Sequence, residues 1–289
     1  MATTRRQDGA GIVTFPDGKV VPSLGQGTWY MGERGGDRRA EAAALRLGLD
    51  LGLGLIDTAE MYAEGGAEEV VAEAIAGRRE ECFLVSKVYP HNASARGLPK
   101  ALAASLKRLR VERIDLYLLH WRGGVALEET VRAMEKAVAA GQIGRWGVSN
   151  LDVADLEELG PALRDCATDQ VLWNLEARGV EFDLLPFCAG HGMPVMAYSP
   201  LGSPGGQGGA LLRHAALQAV AARHGVAPAQ VALAFVLSRP GVIAIPKATT
   251  PEHVRQNAAA RGLALAAEDF RDLDAAFPPP RRKRPLAML

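Results

Sequence analysis

The chain has 289 residues, of which 48% are hydrophobic, and its 33 basic and 33 acidic side chains give a formal net charge of zero. That length admits one large α/β domain or two small ones, and the neutral balance offers no footprint for nucleic acid or an anionic membrane surface. Cys82, Cys166 and Cys188 are odd in number, irregularly spaced and without a C-x-x-C pair, which argues against a disulfide framework or a zinc site and for a reducing compartment, the cytoplasm.

Along the chain, MATTRRQDGAGIVTF carries no apolar core of a signal peptide. GIVTFPDGKVV reads as a hairpin, because PDG between two apolar runs is turn chemistry. Short apolar strands are then expected at Leu24–Thr28, Leu53–Asp57, Cys82–Val88, Ile114–His120, Ile143–Ser149, Ala167–Val171, Pro194–Tyr198 and Val242–Lys247. Stretches of helical length alternate with them, among them Arg38–Leu51, Pro99–Leu109, Glu128–Ala140 and Pro228–Ser238. Pro228 suits a first helical position, Pro240-Gly241 a stop and Thr250-Pro251 another start. The longest clean apolar run, Val231–Leu237, is too short to span a bilayer. GSPGGQGG (Gly202–Gly209) reads as a loop between a strand and a helix, not a domain boundary. RRKR, Arg281–Arg284, follows three prolines and reads as a solvated tail.

Eight strands alternating with helices after a hairpin predict a parallel (β/α)8 barrel, with an extra helix and a tail at the C-terminus and one domain over residues 1–289. An open doubly wound sheet fits less well, because no G-x-G-x-x-G follows the first strand. Barrel active sites lie at the C-terminal ends of the strands. Here those ends supply Thr28-Trp29, Asp57, Lys87, His120-Trp121, Ser149-Asn150, Gln170, Tyr198-Ser199 and Lys247.

Four of these residues carry chemistry together. Asp57 and Lys87 close LID and FLVSK, His120 closes IDLYLLH, and Tyr62 follows Asp57 in the next loop. A buried ionisable group at a strand end is costly unless paired, so the four are expected to pair with one another. An ammonium beside a phenol favours the phenolate and makes the phenol a better acid. Lys87 can play that part for Tyr62, Asp57 can hold Lys87, and His120 can orient a substrate oxygen. Singly, each has a plain structural explanation: an ion pair, a rim aromatic, a satisfied histidine.

LIDTAEMY, VSKV and LYLLHW resemble the three signature stretches of the aldo-keto reductases, and GQGTW, GVSN, the Gln of TDQV, AYSPLG and AIPKATTPEHVRQN match family positions in order. RGVEFDLLPFC resembles a bacterial branch that includes reductases of methylglyoxal and similar small carbonyls. The resemblance implies Tyr62 as proton donor with Lys87, Asp57 and His120 around it, a small aldehyde or 2-oxoaldehyde substrate, and NADP(H) bound without a Rossmann fold or a metal. It implies that Ser149, Asn150 and Gln170 hold the nicotinamide carboxamide and that Tyr198 stacks on its ring. Gly27, Thr28, Trp29, Ser199 and Leu201 would complete that half of the cofactor site. Lys247, Ala248, His253, Gln256 and Asn257 would hold the adenosine end. Ala248 stands where many members have Ser, His253 where many have Arg, and Gln256 where Glu is frequent, which softens the preference for NADPH over NADH. Trp29 and Trp121 would line the substrate pocket, and a monomer is expected. Two readings from other classes remain at this stage: a lyase using Lys87 as a Schiff-base nucleophile, and a nicotinamide-sensing binding module with little turnover.

Overall fold

Alternation along the strands decides where the reactive groups go. In the computed structural model, which describes residues 11–202 and 208–289, the barrel strands are β3 (Gln26–Gly27), β4 (Leu55–Asp57), β5 (Phe83–Val88), β6 (Ile114–Leu119), β7 (Ile143–Ser149), β8 (Asp169–Leu172), β9 (Val195–Tyr198) and β10 (Val242–Ala244). They are preceded by a hairpin of β1 (Ile12–Thr14) and β2 (Val20–Pro22). The eight pair in parallel in chain order from β3 to β10. Closure comes from Gly25 N–H on the Ala244 carbonyl at 2.8 Å, Ala244 N–H on Ser23 at 2.8 Å and Gly27 N–H on Pro246 at 3.0 Å. Gly27 is required there: a Cβ at that position would stand 2.6 Å from the Ile245 carbonyl oxygen.

Side chains two residues apart share a face. Leu55, Phe83, Val85, Leu116, Leu118, Met196 and Ile243 pack together in the barrel interior. Continuing the same parity by one step reaches Asp57, Lys87, His120 and Tyr198. These four inward rows therefore turn from apolar to polar at their C-terminal ends. The hairpin covers the opposite mouth: Val13, Phe15 and Val21 join the interior cluster, and the Phe15 ring stacks on Phe83 at 5.5 Å.

The helices are α1 (Arg38–Asp50), α2 (Gly66–Ile75), α3 (Leu98–Leu109), α4 (Leu127–Ala139), α5 (Val153–Glu158), α6 (Leu184–Gly190), α7 (Gly208–Arg213), α8 (Ala215–His224), α9 (Pro228–Leu237), α10 (Pro251–Ala259) and α11 (Ala267–Ala276). Their apolar sides meet the outer faces of the strands in a second core that includes Leu45, Val71, Leu102, Met134 and Phe235. Helix starts follow capping chemistry. Asp37 accepts from the N–H groups of Arg39 and Ala40 at the start of α1, and Thr250 caps α10 ahead of Pro251.

The expected elements are present within a few residues, and α11 is the extra helix. Two expectations need comment. The glycine-rich loop falls partly on residues 203–207, outside the described residues. Arg281–Arg284 are exposed, as a solvated tail should be, and Lys283 Nζ in addition lies 3.0 Å from both Asp152 and Asp183. The sequence pattern missed this because the two carboxylates come from distant loops. Among the described residues, no single helix is long and apolar enough to cross a membrane, and the three cysteines are free and buried.

Candidate active site

At the C-terminal ends of the strands lies a cavity of about 390 Å³. Asp57, Tyr62 and His120 line it, and Lys87 sits behind Tyr62, fully buried. Lys87 Nζ donates to Asp57 Oδ2 at 2.7 Å, to the Thr58 carbonyl at 3.0 Å and to Tyr62 Oη at 3.0 Å. The ammonium thus spends all three of its donors. Asp57 Oδ1 accepts from Gln170 Nε2 at 2.8 Å. Tyr62 opens a short 3-10 turn, Tyr62–Gly65, in which Ala63 and Glu64 adopt positive φ of 50° and 54°. That turn carries its ring back over the barrel, edge-on to His120 at 5.7 Å between centroids.

Burial and charge compete at each group. Burial pushes the Tyr62 phenol up, while the Lys87 ammonium pulls it down; the net direction is upward. This corrects the expectation that Lys87 makes Tyr62 more acidic than a free tyrosine. Lys87 does favour the phenolate, but loss of solvent outweighs it, so the phenol keeps its proton across the neutral range. Burial works against the charge of Lys87, yet Asp57 and Tyr62 more than offset it and raise its pKa. Burial raises Asp57 against the pull of Lys87 and Gln170. With Lys87 firmly protonated 2.7 Å away, the pair is charged. His120 is driven well below the usual imidazole range, by burial first and then by Lys87. It is therefore a neutral imidazole with one N–H to donate, and its Nδ1 has no hydrogen-bond partner among the described residues.

A second set of groups surrounds the same cavity. Ser149 Oγ donates to the Gln170 carbonyl at 2.7 Å. Asn150, in the left-handed region at φ 58°, donates from Nδ2 to the His120 carbonyl at 3.1 Å. Its Oδ1 accepts from the Tyr198 hydroxyl at 3.0 Å, which anchors the tip of that ring. Ser199 also has positive φ, 47°, and Asn174 Nδ2 holds its carbonyl at 2.9 Å. Strained residues of this kind persist where the surroundings over-determine them, and they gather at functional sites.

Gly27, Thr28, Trp29, Trp121, Ser149, Asn150, Gln170, Tyr198, Ser199, Leu201 and Lys247 all line the cavity. Ala248 lies between Lys247 and α10, and His253, Gln256 and Asn257 are on α10. His253 N–H bonds the capping Thr250, and Gln256 is engaged by Glu252 one turn earlier. Met288 and Leu289 also reach the cavity; nothing in the composition of the tail signals that position.

The motif RGVEFDLLPFC acquires a physical role here. Buried Arg178 pairs with Glu181 at 2.7 Å and with Asp274 at 2.7 Å, and also donates to the Phe277 carbonyl. Asp183 receives Lys283. The motif therefore anchors the end of α11 and the tail that runs to the cavity.

Residues 23–277 match the model of the aldo/keto reductase family. The chain belongs to the aldo/keto reductase family. It is 54% identical over 280 residues to methylglyoxal reductase YeaE of Escherichia coli K12, covering 96% of this chain and 99% of that one. It is 31% identical over 265 residues to glyoxal reductase of Bacillus subtilis 168, covering 91% and 90%. An aldo/keto reductase from Klebsiella pneumoniae in complex with NADP and acetate superposes with a TM-score of 0.93 at 51% identity, covering 96% of this chain and 99% of that one. An aldo-keto reductase from the same organism in complex with NADPH gives 0.94 at 51%, covering 97% and 99%. The fold is the (β/α)8 barrel of these enzymes, and the chain is an oxidoreductase of this family.

Proposed function

We propose that this protein reduces small aldehydes and 2-oxoaldehydes, methylglyoxal among them, to alcohols with NADPH, and that Tyr62 gives the proton. The observation that carries the reading is Tyr62 Oη held 3.0 Å from Lys87 Nζ, with Lys87 in turn 2.7 Å from Asp57, at the wall of the cavity. The similarity to relatives named for methylglyoxal and glyoxal reduction supports the substrate class.

The residues present fit a nicotinamide cofactor. Gln170 turns its Nε2 to Asp57, so its acceptor oxygen is the end left for an amide donor. Ser149 and Asn150 line the same cavity, and the ring of Tyr198, anchored at its hydroxyl, offers a flat face. Lys247 and the free N–H groups at the start of α10 suit a phosphate. NADPH, when bound, supplies the hydride.

The protein's own groups do the rest. His120, neutral and among the lining residues, donates a hydrogen bond to the carbonyl oxygen and places it beside Tyr62. As negative charge builds on that oxygen, the phenol proton crosses to it. Lys87 stabilises the phenolate left behind, and Asp57 keeps Lys87 charged and aimed. Trp29 and Trp121 give the substrate an apolar wall. The buried free thiols suit a reducing cytoplasm. Lys87, protonated and with its donors committed, is a poor amine nucleophile, which speaks against the lyase reading.

Tyr62→Phe is the direct test. It removes the proton donor and little volume, so methylglyoxal reduction should fall by roughly 10²–10⁴-fold while NADPH still quenches tryptophan fluorescence at similar concentration. Activity within threefold of the parent would end the assignment.

A further inference from the structure

Gln170 has two ends, and only one is explained by a cofactor. Its Nε2 donates to Asp57 Oδ1 at 2.8 Å, and the same carboxylate uses Oδ2 on Lys87 at 2.7 Å. All three side chains are buried. A carboxylate can only accept, so Asp57 dictates which end of the Gln170 amide faces it. That leaves Oε1 as the other end of a side chain that lines the cavity.

We infer that Gln170 is a positioning residue for proton donation: by holding Asp57 Oδ1 it fixes the carboxylate that aims Lys87 at Tyr62, and it thereby ties the seat of the carboxamide to the proton donor. This rests on the proposed role of Tyr62. Four other ionisable groups face the contact: Asp57 at the end of β4, Tyr62 beyond it, Lys87 on β5 and His120 after β6. Lys87 is the cation among them.

Gln170→Glu separates the two roles. In its acid form the new side chain has the shape of glutamine and an O–H that can replace the Nε2 donor to Asp57. Two carboxyl groups at that distance cannot both ionise easily, so one proton is shared and is lost only at higher pH. The ratio of variant to parent single-turnover rate, at saturating NADPH, should then fall about tenfold or more between about pH 6 and about pH 9, whatever its starting value, the worth of one charge-assisted hydrogen bond. If Gln170 served only the carboxamide, an ionised carboxylate would accept the amide N–H at least as well, and the ratio would stay level or rise. A level ratio overturns the inference.

Gln170→Met removes the donor with little change of volume. It should slow single turnover at every pH and enlarge the solvent deuterium isotope effect, because proton transfer becomes the harder step. A change confined to the NADPH dissociation constant, with the isotope effect unmoved, also overturns the inference. Should Tyr62→Phe retain activity, the donor assignment falls by itself. The contact between Gln170 and Asp57 would then still show as a melting temperature of Gln170→Glu that drops below the parent's as pH rises.

Discussion

Replacing Lys87 by methionine isolates what the buried charge contributes. The two side chains are of similar length, so little packing is lost. What disappears is an ammonium with three bonds, 2.7 Å to Asp57, 3.0 Å to Thr58 and 3.0 Å to Tyr62. Asp57, 2% exposed, is left with Gln170 as its side-chain partner. Removing one member of a buried ion pair costs about 3–5 kcal/mol. In the variant, burial still raises the Asp57 pKa, and the opposing pull of Lys87 is gone. Its folded pKa therefore climbs further above the unfolded value near ~3.9. Between those two values the folded variant holds a proton that the unfolded chain has released. The deficit against the parent thus grows as pH rises through this window and shrinks toward about pH 4. Urea midpoints at several pH values measure it. Adding Asp57→Asn removes the orphaned charge, so the double variant should be at least as stable as Lys87→Met alone at neutral pH. A deficit under about 1 kcal/mol, or one that does not change with pH, would refute the charged-pair argument. Reduction of methylglyoxal should fail in parallel, since Tyr62 loses the cation that stabilises its phenolate; an unaltered pH–rate profile with full activity would make Lys87 structural.

The adenosine end gives a second prediction. Lys247→Met should weaken NADPH but hardly NADH, which lacks the 2′-phosphate, by about 1.5–3 kcal/mol, or roughly ten- to a hundredfold in Kd. His253→Arg should tighten NADPH, most of all at high pH where an imidazole is neutral; equal effects on both cofactors, titrated by fluorescence quenching, would displace the phosphate from this site. Lys283→Ala should change global stability by no more than about 1 kcal/mol yet speed proteolysis of the tail beyond α11, and an unchanged cleavage rate would mean the Asp152 and Asp183 contacts hold nothing.

The barrel was legible because parity is strict in strands. Phe83, Val85 and Lys87, or Leu116, Leu118 and His120, can be placed on one face from spacing alone. The strand limits were less legible, for local reasons. Leu24–Thr28 shortens to Gln26–Gly27 because Ser23 and Gly25 bond Ala244 across the closing seam, outside a continuous ladder. Val242–Lys247 stops at Ala244, since Pro246 has no N–H to offer. The turn that swings Tyr62 over the barrel puts two non-glycine residues in the left-handed region, and YAEG gives no warning of that. The tail is exposed, as its composition suggested, but the contacts of Lys283 were not legible, for a different reason. Lys283, Asp152 and Asp183 meet only through the tertiary fold, and a short basic run after prolines carries no mark of its partners.

The same physics explains why the contact of Lys87 with Asp57 and Tyr62 could be read and the contact between Gln170 and Asp57 could not. A lysine inside a barrel is costly, so its presence in an apolar strand announces a partner and a purpose. Glutamine is neutral, and its burial needs only hydrogen bonds, which any core can supply. Gln170 stands 113 positions from Asp57, and contact between the second and sixth barrel strands is set by closure, not by sequence proximity. Only when Gly27 lets β3 meet β10, and the inward rows of β4, β5 and β8 converge, does one carboxylate come to serve two donors. One of these is bonded to Tyr62, the proposed proton donor, and the other lines the cavity proposed to seat the cofactor. Local chemistry thus marks where charge is buried, and closure of the barrel decides which neutral groups share it.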